Sequence, residues 1–143
     1  MNIDFAVVCD YALVDQFGKL SVIGVFQHIW VQKFPTVHPR LHLVIRLKGG
    51  RTEVGQHNVQ IRLLNEEDNE IISGEGKVHL PEPPAGVLEV EAGAILAFDV
   101  PFDKPGLYRF EITIDSEPQR SVPIAVSQGP KPPPQPPPSP ELN

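Results

Sequence analysis

Apolar and polar residues alternate with a period of two through most of this chain. In residues 41–47 every second side chain is aliphatic, namely Leu41, Leu43, Ile45 and Leu47. Residues 107–115 alternate in the same way. Because successive side chains of a β-strand point to opposite faces, this spacing predicts strands. No window carries the i, i+3, i+4, i+7 pattern of an amphipathic helix, so the chain is expected to be all-β.

Turn signals divide these alternating runs into strand-sized segments with short connections. Parallel neighbours need long crossovers, so the pattern predicts an antiparallel β-sandwich of about eight strands. The only room for a short helix or 3₁₀ turn is around residues 35–39. Pro123 lies inside the last predicted strand and has no amide hydrogen, which favours an edge position for that strand.

The composition changes abruptly near the C-terminus. Residues 129–143 read GPKPPPQPPPSPELN, which is typical of extended polyproline II. We therefore expect a β-sandwich domain over 1–127 and a disordered proline-rich tail over 128–143. The tail contains a basic-x-x-Pro-x-x-Pro pattern around Lys131, so it is either a ligand for an aromatic groove or a plain spacer.

Charge and hydropathy exclude several classes of protein. The formal net charge is −6, and Lys and Arg are scattered rather than clustered, which argues against a nucleic-acid partner. No stretch reaches the roughly 20 apolar residues of a membrane helix, and no secretion signal is recognisable. The chain is expected to be cytoplasmic. Its single cysteine, Cys9, is expected to pack as a small hydrophobic residue.

No constellation of side chains predicts catalysis, a metal site or a cofactor. His38 and His42 would share a strand face but lie about 13 Å apart, too far for one zinc ion. Nucleophile elbows and phosphate-binding loops are absent from the sequence. The acidic turn over residues 65–70 is either a calcium ligand loop or a solvated hairpin turn, and no second acidic loop accompanies it.

Residues 20–31 are apolar on both strand faces. Such a strand is either central between two covered faces or part of an interface, and it is the best hint of self-association. The predicted interaction surface lies beside it and consists of Trp30, Phe34, His38 and Arg40. Asp10 interrupts an apolar strand face and is expected to join a buried polar network with Arg46.

Three segments resemble a known family. They contain the residues Asp10-Tyr11-Ala12, GKLSVIGVF from Gly18 to Phe26, and Phe34-Pro35 followed by HPRL from His38 to Leu41. The pattern is similar to that of short bacterial proteins grouped as a domain of unknown function. The resemblance implies a bacterial origin and a compact β-domain, and it brings no activity or site residues.

The function expected from the sequence is a non-enzymatic β-sandwich that serves protein interaction or structure. Its partner is an unidentified protein, with a second copy of the chain among the candidates. The alternative is a module that binds a small molecule, a sugar or calcium through loops at one end of the sandwich. Trp30, Phe34 and Tyr108 are the aromatic candidates for such a site.

Overall fold

Nine strands face each other in two sheets across an apolar core. The computed structural model describes residues 1–140, and all strands and contacts below belong to that range. The strands are β1 (Asn2–Val14), β2 (Leu20–Val25), β3 (His28–Val31), β4 (Thr36–Gly49), β5 (Gly55–Leu64), β6 (Glu70–Leu80), β7 (Val90–Phe102), β8 (Gly106–Ile114) and β9 (Glu117–Gln128). A short 3₁₀ helix, Arg51–Glu53, lies between β4 and β5.

The first sheet has the order β2-β1-β4-β7 and the second has the order β3-β9-β8-β5-β6. The prediction of an all-β fold is therefore confirmed. Nine strands form rather than eight, because the apolar run 20–31 is divided at Phe26–Gln27 into β2 and β3. These two strands belong to different sheets, so the run crosses from one layer to the other.

The expectation of purely antiparallel pairing is wrong at one place. β3 pairs with β9 in parallel, with His28 opposite Ala125 and Val31 opposite Gln128. Short connections exclude parallel pairing only between consecutive strands. β3 and β9 are separated by most of the chain, so the short connections between consecutive strands place no limit on how these two strands pair.

The main core lies between the inner faces of the two sheets. The alternating residues of β4 are at most 1% exposed, and they face equally buried residues of β5 and β8. The fully buried members from the three strands include Leu41, Leu43, Ile45, Leu47, Ile61, Leu63, Phe110 and Ile112. The period-two pattern therefore identified the inward face of these strands correctly.

Two local predictions are wrong. β9 lies between β3 and β8 and is not an edge strand. Pro123 is tolerated because, among the described residues, β3 pairs only with residues 125–128, which leaves no hydrogen-bonded strand on that side of Pro123. Residues 36–40 belong to β4 and not to a helix or turn, since the strand passes Pro39 through a register shift at which Arg40 has a φ of 50°.

The β1–β2 hairpin bends over the outer face of the first sheet. β1 pairs with β4 only as far as Cys9, and beyond it pairs with β2. Ala12, Leu20 and Val22 then pack in one cluster with Val44, which points outward from β4. This second apolar cluster also contains Cys9, Phe5, Val7 and Ile95. Of the two readings of residues 20–31, a central strand covered on both faces is wrong, because β2 is the edge of its sheet.

The proline-rich segment follows β9. Residues 130–140 have no regular secondary structure, and their side chains are exposed. Residues 141–143 of the predicted tail lie outside the described residues, and its disorder stays a prediction. Over the described range, no helix has the length and apolar character needed to cross a membrane.

Candidate functional site

A cleft opens where the chain passes from β2 to β3. We call it the aromatic cleft; it has a volume of about 330 Å³ and is lined by Asp10, Phe26, His28, Ile29, Trp30, His38 and Lys131. The Trp30 and His28 rings stack at a centroid distance of 4.1 Å and an angle of 15°. His28 Nε2 lies 2.6 Å from the Ser127 hydroxyl on β9, which holds the stacked pair against the sheet. The aromatic surface is therefore built before any ligand arrives.

The opposite wall of the aromatic cleft comes from β1 and β4. The His38 ring lies 5.7 Å from the Phe26 ring. Burial lowers the pKa of His38 below its ordinary value, and the negative charge of Asp10 partly offsets this shift. Asp10 itself is exposed and makes no ion pair within 4.0 Å among residues 1–140. Its carboxylate is thus available to a cation that enters the cleft.

Two of the four residues predicted as an interaction surface meet in the aromatic cleft. These are Trp30 and His38. Phe34 is half-buried and packs against the main core instead. Arg40 is exposed, and its backbone N–H donates to Asp99 Oδ1 at 2.9 Å. Neither Phe34 nor Arg40 is among the lining residues of the cleft.

The predicted buried network of Asp10 and Arg46 is wrong. Asp10 lies at the aromatic cleft, whereas Arg46 points to the outer face of the first sheet. There Arg46 forms ion pairs with Asp4 and Glu91. Lys48 Nζ also lies 3.5 Å from Asp4 Oδ1. Residue types alone could not select among the acids, because the choice depends on which strands are neighbours.

An open cleft of about 590 Å³ separates the tip of the β1–β2 hairpin from β7. It is larger than the aromatic cleft, but two of its charged lining residues already form an ion pair with each other. Arg46 and Glu91 line it and pair with each other. Its remaining lining residues include Lys19, Pro81 and Gly93, and no aromatic residue is among them. The aromatic cleft has the more specific chemistry.

The acidic turn between β5 and β6 has its side chains engaged inside the protein. Asn65 Oδ1 accepts the backbone N–H groups of Glu67 and Asn69 at 3.0 and 2.9 Å. The Lys104 ammonium donates to both oxygens of Glu67 at 2.8 and 2.9 Å. Arg109 donates to Asp68, and Glu66 accepts the Leu107 N–H at 2.7 Å. These partners compete directly with a calcium ion for the same oxygens.

A histidine–aspartate pair at the other end of the molecule also has a structural arrangement. His57 Nδ1 lies 2.5 Å from Asp115 Oδ2, and His57 Nε2 lies 2.5 Å from the carbonyl oxygen of Glu53. Both ring nitrogens therefore face acceptors of the protein. Neither is left to take a proton from a nucleophile. Throughout residues 1–140, no three His, Cys, Asp or Glu side chains group closely enough to hold a metal ion.

One exposed apolar surface includes part of the run 20–31, for which the sequence suggests an interface as one of two readings. The outer side of the β1–β2 hairpin carries Tyr11, Leu13, Ile23 and Val25, which we call the hairpin patch. Ile23 and Val25 are 58% and 56% exposed, and Tyr11 is 48% exposed. Regular alternation from Cys9 would put Tyr11 and Leu13 on the same face, whereas Ala12 joins Cys9 in the buried cluster. The alternation of buried and exposed residues along β1 therefore shifts by one position where β1 bends after Cys9. The sequence pattern alone does not show this shift.

The fold and these sites define an all-β sandwich domain with two exposed apolar or aromatic surfaces. The chain belongs to a family of unknown function (DUF6941), whose profile matches residues 4–127. The resemblance to a domain of unknown function is thereby confirmed. No curated protein matches the chain.

Proposed function

We propose that this protein is a non-enzymatic interaction module whose partner is a second copy of the same chain, joined at the β1–β2 hairpin. The observation that carries the proposal is the free, uncharged and apolar edge formed by β2. Among residues 1–140 its backbone pairs only with β1, so its other side can accept a further strand. Ile23 and Val25 lie on that edge and expose most of their side chains.

The charge distribution distinguishes this edge from the opposite one. Residues 20–31 form the edges of both sheets on one side of the sandwich and contain no Asp, Glu, Lys or Arg. The opposite edges, β6 and β7, carry charged residues; these are Glu70, Glu75, Lys77, Glu91 and Asp99. Charged side chains protect edge strands from pairing with other chains. Their absence from residues 20–31 supports an edge that is covered in the working protein.

A second copy suits this edge better than a charged partner does. The protein carries a net charge of −6, so two copies repel each other over most of their surfaces. An uncharged strand lets two copies approach without like charges meeting. In an antiparallel pair about a two-fold axis, each β2 would give and receive the same hydrogen bonds. The hairpin patch of each copy would then extend across the new seam.

Further features support a binding role over catalysis. Both ring nitrogens of His57 are engaged, and the acidic turn is neutralised by Lys104 and Arg109. The lone thiol of Cys9 is buried, which suits a reducing compartment. Together with the family resemblance, this supports a bacterial cytoplasmic protein. The scattered Lys and Arg residues favour neither a nucleic-acid nor a membrane partner.

The proposal is tested by the mass of the full-length protein in solution. Sedimentation equilibrium should show a concentration-dependent dimer for the wild type and a monomer for Ile23→Lys. Leu107→Lys is the matched control, because Leu107 is 61% exposed on β8, outside the hairpin. It should leave the dimer unchanged. A wild-type protein that is monomeric at about 1 mM, where an association of about 4 kcal/mol is half complete, would refute self-association.

The alternative of a small-molecule, sugar or calcium module is tested separately. The aromatic cleft supports it, since stacked Trp30 and His28 rings could hold a planar or sugar ligand. A thermal-shift series with sugars and calcium would raise the melting temperature if one of them binds. We expect no shift with calcium, because its candidate oxygens already accept hydrogen bonds from Lys104, Arg109 and backbone amides.

A further inference from the structure

The proline-rich tail leaves β9 in a defined direction. The Gly129 N–H donates to the Val31 carbonyl at 2.9 Å, so the exit point is fixed against the end of β3. The Gln128 side-chain amide also donates to the Gln32 carbonyl at 3.4 Å. Gly129 has a φ of 119°, which glycine adopts without strain. The chain turns there, and Lys131 becomes a lining residue of the aromatic cleft.

We propose that the aromatic cleft is a binding site for a proline-rich segment that carries a basic residue, and that its occupant is the protein's own tail beginning at Lys131. This goes beyond the proposed self-association, because it concerns a different surface and a different ligand. Lys131 precedes three consecutive prolines, Pro132–Pro134. The cleft supplies an aromatic platform, an acid and a free indole N–H, and each matches one feature of such a segment.

The aromatic platform matches the proline rings. Polyproline II is rigid and has no internal hydrogen bonds, so it loses little entropy when it docks on aromatic residues. Trp30 and His28 are already stacked and held through Ser127, so the protein side loses little entropy as well. The indole N–H of Trp30 makes no hydrogen bond to residues 1–140. It can donate to a carbonyl of the segment, all of which are free in polyproline II.

The charge of the cleft matches Lys131. Asp10 lines the same cleft and has no cationic partner within 4.0 Å in the described chain. Lys131 is the only basic residue between Arg120 and Asn143. A tether of Gly129 and Pro130 alone separates it from β9, which makes its local concentration at the cleft high. Cis occupation is therefore favoured over capture of the same segment from another molecule.

Trp30 is the only tryptophan of the chain, so its fluorescence reports on this cleft alone. In the full-length protein, Lys131→Glu should place like charges together at Asp10 and release the tail. We expect a red shift of the Trp30 emission and a larger acrylamide quenching constant. Lys77→Glu, the same change at an exposed position on β6, is the control and should leave both unchanged.

A synthetic peptide of residues 129–140 then tests recognition without the tether. Added to Lys131→Glu at up to about 10 mM, above the millimolar local concentration that a short tether provides, it should reverse the red shift. The same peptide with glycine in place of Pro132–Pro134 should not. Unchanged quenching in Lys131→Glu, or no protection by the proline peptide, would overturn the assignment. A response to sugars but not to the peptide would overturn it in favour of a small-molecule site.

Discussion

Gly24 is the residue that permits the close approach of β2 to β1. It has a φ of 71°, and a Cβ at this position would overlap the Asp10 carboxylate. The positive φ and the close contact with Asp10 both occur one residue before the end of β2, where the chain crosses from one sheet to the other. A side chain here would disturb the hairpin and the wall of the aromatic cleft together.

Gly24→Ala should therefore lower the free energy of unfolding by about 2 kcal/mol, from left-handed strain of about 1 kcal/mol and a similar cost of displacing Asp10. Gly18→Ala is the matched control. Gly18 has a φ of 79° but open space around the position of a Cβ, so it should lose only the strain contribution. Urea denaturation measures both. Equal losses in the two variants would show that Asp10 is not crowded by the new methyl group.

Asp115 joins the β8–β9 turn to β5. One of its carboxylate oxygens faces His57 and the other accepts the Asn58 N–H at 2.9 Å. The hydrogen bond with His57 and, next, that with Asn58 lower the pKa of Asp115 below its ordinary value of 3.8. The unfolded chain therefore takes up this proton first as the pH falls. The contribution is fully present above pH 3.8 and is lost as the pH falls through the folded-state pKa.

Asp115→Asn should consequently destabilise the protein at neutral pH, and the difference from the wild type should shrink at acid pH. Asparagine tolerates the φ of 49° found at this position, so the turn itself is preserved. Glu89→Gln, an acid-to-amide change in an exposed loop, is the control. The free energy of unfolding of the wild type and of both variants, measured by denaturant titration from neutral to acid pH, tests this prediction. A destabilisation of Asp115→Asn that is constant with pH would contradict the assigned role of the carboxylate.

At the level of elements, the β1–β2 hairpin belongs to the first sheet and bends over part of its outer face. Val44 points away from the main core yet is fully buried, because Ala12, Leu20 and Val22 cover it. The hairpin is thus held by a small cluster of its own. Its outer side remains exposed as the hairpin patch, so one element both covers Val44 and presents an open apolar edge.

Val44→Ala should cost about 2 kcal/mol, the transfer energy of the lost methyl groups plus a small cavity. We expect its effect to be local. Hydrogen exchange should speed up at the β2 amides while those of β5 and β8 stay protected. Leu43→Ala, one position away but in the main core, should speed exchange in all strands. Equal acceleration everywhere in Val44→Ala would show that the hairpin does not open independently.

At the scale of the whole molecule, the two open surfaces lie on one side. The segment 20–31 supplies the free edge of the first sheet and, through His28 and Trp30, the wall of the aromatic cleft. The tail returns to the same side from β9. The proposed self-association and the proposed tail docking would thus use neighbouring parts of the segment 20–31, which contains no Asp, Glu, Lys or Arg.

The predictable part of this protein was the part governed by local geometry. The alternation of Leu41, Leu43, Ile45 and Leu47 predicted the inner face of β4, because the two-residue repeat of a strand does not depend on its neighbours. The predicted surface was partly assembled, since Trp30 and His38 share a cleft while Phe34 and Arg40 do not. The expected pairing of Asp10 with Arg46 fails because residue type does not show which strands become neighbours, and Arg46 meets Asp4 and Glu91 instead.

The all-β class, the positions of most strands and the proline-rich segment over residues 129–143 follow from the order of residue types alone. The parallel pairing of β3 with β9, the covering of Val44 by the hairpin, and the position of Lys131 at the same cleft as Trp30 emerge only from the folded structure. The physical reason is the range of the interactions involved. Alternation and turn chemistry act over a few residues, whereas these contacts join strands that are brought together only when the two sheets close.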